Sequence, residues 1–195
     1  VPFGFENMQS SQNRLSLDRA DALNSAVVNE RDLGVYFFYA PSHIRRRFRY
    51  LVDSGLKGSG DYGVVAVGFN KGQAANRAEA NNNLHTVARF SYPFELKSGQ
   101  IIEPGIQAYT GQYTVTERGA ASRGPDVFPD RRAALSFVLY PQPVGFQAEY
   151  NFGQGPLYNP SIQTIEARNL QGGYAQLMYR YKLRNQFLTT FFKTQ

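Results

Sequence analysis

The chain has no cysteine among its 195 residues, which excludes disulfide staples, thiol nucleophiles and thiolate metal sites. It also lacks tryptophan, and His43 and His85 are its two histidines. No nucleophile-elbow pattern accompanies them, and two isolated imidazoles without clustered carboxylates make a poor metal site. No run approaches the roughly 20 apolar residues that a membrane-spanning helix needs. A helical membrane protein is thereby excluded, but a barrel, in which half of each strand is polar, is not. The glycine-rich stretch 54–61 (SGLKGSGD) lacks the setting and the ending of a phosphate-binding P-loop and reads as a turn. No catalytic residue, metal or cofactor is expected.

Charge and aromatic content are what remain. The 21 Lys and Arg exceed the 15 Asp and Glu, a net of +6 that favours anionic partners. The 13 Tyr and 15 Phe suit strands whose ends carry aromatic girdles at a membrane interface. The length fits one sizeable domain, taken as 1–195.

Much of the chain alternates apolar and polar residues in two-step rhythm. In 145–152, Phe146, Ala148, Tyr150 and Phe152 share one face, opposite Gln147, Glu149 and Asn151. Segment 172–183 sets Ala175, Leu177, Tyr179 and Tyr181 against Gln176, Met178, Arg180 and Lys182. Segment 84–96 places Ala88, Phe90, Tyr92 and Phe94 opposite Arg89, and 132–140 places Leu135, Phe137 and Leu139 outward. Segment 43–52 reads the same way, with Ile44, Phe48, Tyr50 and Val52 against Arg45, Arg47 and Arg49. Further strands are expected at 1–5, 31–40, 62–69, 100–116 (with a bulge near Pro104) and from 186 onward, about ten in all. Connections alternate in length, short near Pro41, Lys97, Pro141 and Leu183, long at 71–83, 117–131 and 153–160. Membrane barrels have short turns on one side and long loops on the other. The pattern therefore predicts an all-β, antiparallel transmembrane β-barrel, with ends that read as those of an internal piece.

Particular residues carry a family resemblance. Val1-Pro2-Phe3-Gly4-Phe5-Glu6, the pair Ser10-Ser11, Asp18-Arg19 and Glu30-Arg31-Asp32-Leu33-Gly34-Val35 resemble the phosphate-selective porin O and P family, as does Gly173 to Tyr179. The resemblance implies part of a sixteen-stranded, homotrimeric porin of the bacterial outer membrane, in contact with its lipid and lipopolysaccharide. It further implies that 6–30 is a constriction loop folded into the lumen, with Ser10, Ser11, Arg14 and Arg19 as its functional side chains. The family pattern would put a basic residue just before the serine pair, where this chain has Glu6, Asn7, Met8 and Gln9.

On this reading Arg45, Arg47 and Arg49 stand about 6.6 Å apart along one strand face and pass anions such as phosphate down the bore. Arg89, Arg180 and Lys182 add to the field. The function expected is passive, anion-preferring diffusion of small solutes. Two other classes compete: a soluble all-β module with a basic face for nucleic acid or acidic polysaccharide, and a barrel plugged by 6–30. A soluble module would pack Phe37, Phe90, Phe137 and Phe146 into a closed core; a barrel would turn them outward.

Overall fold

Two-step alternation becomes strand structure almost wherever it occurs. The computed structural model describes residues 1–21, 32–73, 81–115 and 127–195. Among these residues, nine strands form one antiparallel sheet in the order β1-β2-β3-β5-β6-β7-β8-β9, with the short β4 beside β5. They are β1 Gly34–Tyr39, β2 Val65–Asn70, β3 His85–Ser91, β4 Phe94–Glu95, β5 Ile101–Thr114, β6 Val127–Leu139, β7 Val144–Asn159, β8 Thr164–Leu183 and β9 Gln186–Thr194. No helix among the described residues is long and apolar enough to cross a membrane.

The register aligns the apolar positions of successive strands. Tyr39, Val65, Phe90, Ile106, Leu135 and Tyr150 are paired in turn from β1 to β7, making one continuous apolar row. A second row, two steps along the strands, joins Ile102, Leu139, Phe146 and Leu177. Both belong to the outer face, where Phe37 is 67% exposed, Phe90 47% and Phe137 39%. On the inner face the matching rows are polar. One runs Ser91, Gly105, Ser136, Glu149, Tyr174, and another Glu103, Val138, Gln147, Gln176, Lys193. Along these strand rows the arrangement of a water-soluble domain is inverted, with polar groups covered and aromatic groups turned out.

Antiparallel succession puts the connections 40–64, 92–100, 140–143 and 184–185 at one end of the sheet, and the strand ends at Asn70, His85, Thr114 and Val127, with the turn 160–163, at the other. The short turns at Lys97, Pro141 and Arg184 are present as expected. Of the expected loops at 71–83 and 117–131, residues 74–80 and 117–126 lie outside the described residues, whereas 127–131 are not loop but the start of β6.

Five expectations need correction. Residues 1–5 are not a strand: Val1 to Gly4 are irregular and lead into one helical turn, α1, Phe5–Met8. The 43–52 segment is a helix, α2, Ser42–Asp53. Its buried residues are Ile44, Phe48 and Leu51, spaced i, i+4 and i+7, which is helical period. Read at period two, Leu51 falls on the arginine side, so the strand assignment had to bury a charged face. With these two removed and the expected 84–96 strand divided into β3 and β4, nine strands stand among the described residues against the expected ten or so. No bulge interrupts β5, whose pairing with β6 runs unbroken from Ile102↔Leu139 to Thr114↔Val127. Nor is 153–160 a loop: β7 continues to Asn159 and turns at 160–163 into β8.

Candidate functional site

The inner face is covered from two directions, by residues 1–20 and by α2. Gly4 carries a φ of +86°, which directs the following amides at the sheet. The Gly4 amide donates to Gln107 Oε1 at 2.5 Å, and the Phe5 and Glu6 amides donate to Glu149 Oε2 at 2.9 and 3.3 Å. Glu6 in turn accepts Lys193 Nζ at 2.5 Å and the Ala20 amide at 2.8 Å. Gln147 Nε2 donates to Gln9 Oε1 at 3.3 Å and to the Tyr174 hydroxyl at 2.6 Å. Phe3 packs edge-on against Tyr109, with ring centroids 5.0 Å apart. The alternation had marked Gln147 and Glu149 as polar-face residues, but not as the anchors of this segment. Their partners lie more than 130 residues away in the chain, beyond the reach of any local pattern.

α2 lies across the inner face at the short-turn end. Ile44, Phe48 and Leu51 form one core with Phe5, Leu56, Val64, Ile101, Val138 and Tyr140. The helix is tied along its length. Arg45 Nε donates to Asp61 Oδ2 at 2.7 Å, and Arg47 donates to Pro93 O and to Glu95 Oε2, each at 2.8 Å. At its end the Ser54 carbonyl accepts Arg180 Nη2 at 2.5 Å. The opposite helix face is exposed and carries Arg45, Arg46 and Arg49. These are i, i+1 and i+4 and therefore fall within one side of the cylinder.

The sequence-predicted cations are thus redistributed. Arg45, Arg47 and Arg49 do not share a strand face, because residues two apart on a helix point to different sides. Arg47 is paired with Glu95 and Arg45 with Asp61, and Arg45 and Arg49 are exposed. Arg89 is on the inner face but only 3% exposed, donating to Gly63 O at 3.1 Å and to Glu103 Oε1 at 3.5 Å. Glu103 also accepts the hydroxyls of Ser91 and Tyr140, both at 2.5 Å. A guanidinium so enclosed and paired does not line water. Arg180 is half-buried, with Cζ 3.7 Å from the centroid of the Phe187 ring, and Lys182 is exposed. In the expected constriction loop, Ser10 and Ser11 are exposed and Arg14 and Arg19 half-buried. Arg19 Nη2 donates to Asn7 O at 3.5 Å. Residues 22–30 of that loop lie outside the described residues.

Lys57, which the sequence had offered only as part of a turn, meets this segment directly. Its carbonyl accepts Gln9 Nε2 at 2.7 Å and its Nζ donates to Gln12 O at 3.3 Å, so its two partners flank Ser10 and Ser11. Burial, and then the charge of Arg180, push its ammonium below the ordinary lysine value.

No curated protein and no solved structure matches the chain. The family model for phosphate-selective porin O and P matches residues 1–131, two-thirds of the sequence. That stretch contains the segment folded on the inner face, α2 and the first strands. An antiparallel sheet with an aromatic exterior and a polar interior, occupied by an inward-folded segment, is an arrangement that suits a pore wall. This is a family of outer-membrane channels rather than of enzymes, and the chain belongs to it.

Proposed function

We propose that the chain forms part of a pore for passive, anion-preferring diffusion of small solutes, phosphate among them, across a bacterial outer membrane. The observation that carries this is the basic face of α2. The helix is packed by its apolar side on the inner face of the sheet, and Arg45, Arg46 and Arg49 lie exposed on its opposite side, which on this reading borders the lumen. Guanidinium groups keep their charge at any working pH and recruit oxyanions in bidentate fashion. Anions then gather at a cluster on a helix rather than along a row of strand positions.

Closure of the sheet belongs to the same proposal. β1 and β9 stand at the two ends of the strand order. Hydrocarbon tolerates no row of unmet backbone groups, so a sheet crossing a membrane must close into a barrel. Sixteen strands and a homotrimer are the family's arrangement, and the aromatic outer face would contact lipid and lipopolysaccharide. Residues 1–21 support the constriction-loop reading, since they are bonded to the inner face through Gln107, Glu149 and Lys193.

The test is the reversal potential across a planar bilayer in a salt gradient. The native pore should favour anions, and changing Arg45, Arg46 and Arg49 together to Gln should move the potential toward that of an unselective pore. An unaltered potential would remove α2 from the account. The absence of any single-channel conductance would favour a plugged barrel instead.

A further inference from the structure

β1 breaks the rule of a polar inner face. Val35, Phe37 and Tyr39 belong to the outer face, but the positions between them, Tyr36 and Phe38, are aromatic as well. Phe38 pairs with Ala66 and through it with Arg89, which places both rings on the inner side. Tyr36 lies over Gly68, where a Cβ would come within 2.3 Å of its ring. Phe38 follows with ring centroids 6.4 Å apart, and Tyr62 follows Phe38 at 6.2 Å. Hydrocarbon accounts for the outer rings. It does not account for Phe38 and Tyr62, which stay 47% and 38% exposed on the side where the neighbouring rows are polar. A single exposed ring needs no explanation, but a file of them marks a contact surface.

Beside Phe38, at the start of α2, a cavity of about 230 Å³ is lined by Phe38, Ala40, Arg45 and Asp61. The ion pair there uses Arg45 Nε and Asp61 Oδ2, 2.7 Å apart. Among the described residues the two Nη groups of Arg45 and Oδ1 of Asp61 bond nothing else, and the side chains are 62% and 27% exposed. A flat apolar surface therefore stands next to groups that only donate and an oxygen that only accepts. The pair is neutral overall. A free anion would meet an arginine already compensated and a carboxylate that repels it. A hydroxyl both gives and takes a hydrogen bond, so it satisfies either partner. A ring with hydroxyls at its edge and C–H groups on its face matches the pair and the aromatic surface together.

The geometry points to a site for a neutral sugar: the Phe38 and Tyr62 rings take the apolar face of a pyranose, and the Arg45–Asp61 pair bonds its hydroxyls. The site adds an uncharged class of solute to the anions proposed above. Its place on a pore wall rests on that reading, but its ability to bind does not.

The full chain, folded in a detergent without a sugar headgroup, is titrated with maltose, and the Kd is read by saturation-transfer NMR. Saturable binding is expected, and Phe38→Ala should raise the Kd by roughly tenfold, the scale of one lost aromatic contact. Phe38→Tyr keeps the ring and should bind as the native protein does. Asp61→Ala should also weaken binding, since it removes the acceptor and leaves Arg45 uncompensated. Phe137→Ala, an exposed ring on the outer face, should leave the Kd unchanged. Raising the salt to about 1 M should change nothing, because the ligand carries no charge to screen. Circular dichroism reports the fold, and if Phe38→Ala fails to fold, Tyr62→Ala decides in its place. Maltose binding that is absent from the native protein, or equal in native and Phe38→Ala protein, overturns the site. Binding of glucuronate with maltose rejected overturns it as a site for neutral sugars. Should maltose bind as described while bilayers show no conductance, the pore reading fails and the site stands. Anion-selective conductance without maltose binding has the opposite meaning.

Discussion

Glu149 sits on the inner face of β7 at 2% exposure and accepts the amides of both Phe5 and Glu6 on one oxygen. Glu149→Ala strands those donors, at about 1–3 kcal/mol for each that stays buried, and should loosen the N-terminal segment. Glu149→Gln keeps an acceptor oxygen and should lose less. Urea unfolding of the detergent-folded protein measures both. Gly4→Ala should also destabilise, by about 1 kcal/mol or more, because φ is +86° and a Cβ would stand 3.2 Å from Glu149 Oε1. Glu103 is the deeper anchor. Its carboxylate gathers Arg89, Ser91 and Tyr140, and Glu103→Ala leaves a buried guanidinium unpaired, a loss of about 3–5 kcal/mol. Removing Arg89 and Glu103 together for well-packed apolar residues should cost far less than either single change. The polar identity of these positions was legible from alternation. Their partners were not, since each is set by the fold of a distant segment.

At the scale of elements, α2 shows where reading by periodicity breaks down. Over ten residues the periods of two and of 3.6 share many positions, and Ile44 and Phe48 satisfy both. Leu51 and Tyr50 separate them: Leu51 is fully buried and Tyr50 is 51% exposed, the reverse of the strand expectation. Phe48→Ala should therefore cost about 3–5 kcal/mol by denaturant unfolding, whereas Tyr50→Ala should be close to neutral. β7 illustrates a second kind of miss. Gly153 and Gly155 looked like loop punctuation, yet both lie within the strand. A Cβ on Gly153 would come within 2.2 Å of the Arg131 carbonyl, so the glycine allows a close strand approach rather than a turn. The sixteen residues of β7 and twenty of β8 exceed the 9–11 that a membrane crossing needs. Their surplus should stand clear of the bilayer as a hairpin, and limited proteolysis of protein in vesicles should cut near 160–163 while sparing the rest of both strands.

For the whole molecule, the decisive quantity is the sign of its two faces. An arginine at Leu135, in the middle of the outer apolar row, should cost up to about 2–4 kcal/mol when folding into phosphatidylcholine vesicles. The same change should be nearly silent if that surface met water. The outward set of Phe37, Phe90, Phe137 and Leu135 is legible in the sequence, because strand geometry leaves an alternating sequence only two ways to face. Fold class and face assignment were thus available in the residue order. The segment packed on the inner face, and the helix beside it, depend on contacts that no local rhythm encodes.

The arginines of α2 ride on a rigid rod, the Cβ atoms of those three and four residues apart standing about 5–6 Å from one another. At that spacing their fields merge, and a distant ion senses one broad positive region instead of a sequence of stops. Such a region acts through solvent and is muted by dissolved salt: its range shrinks from about 10 Å at 0.1 M to about 3 Å at 1 M. Discrimination between anions and cations should accordingly be strong in dilute electrolyte and fade as concentration climbs. A string of contact sites gripping each ion at hydrogen-bond distance would resist that dilution of its influence.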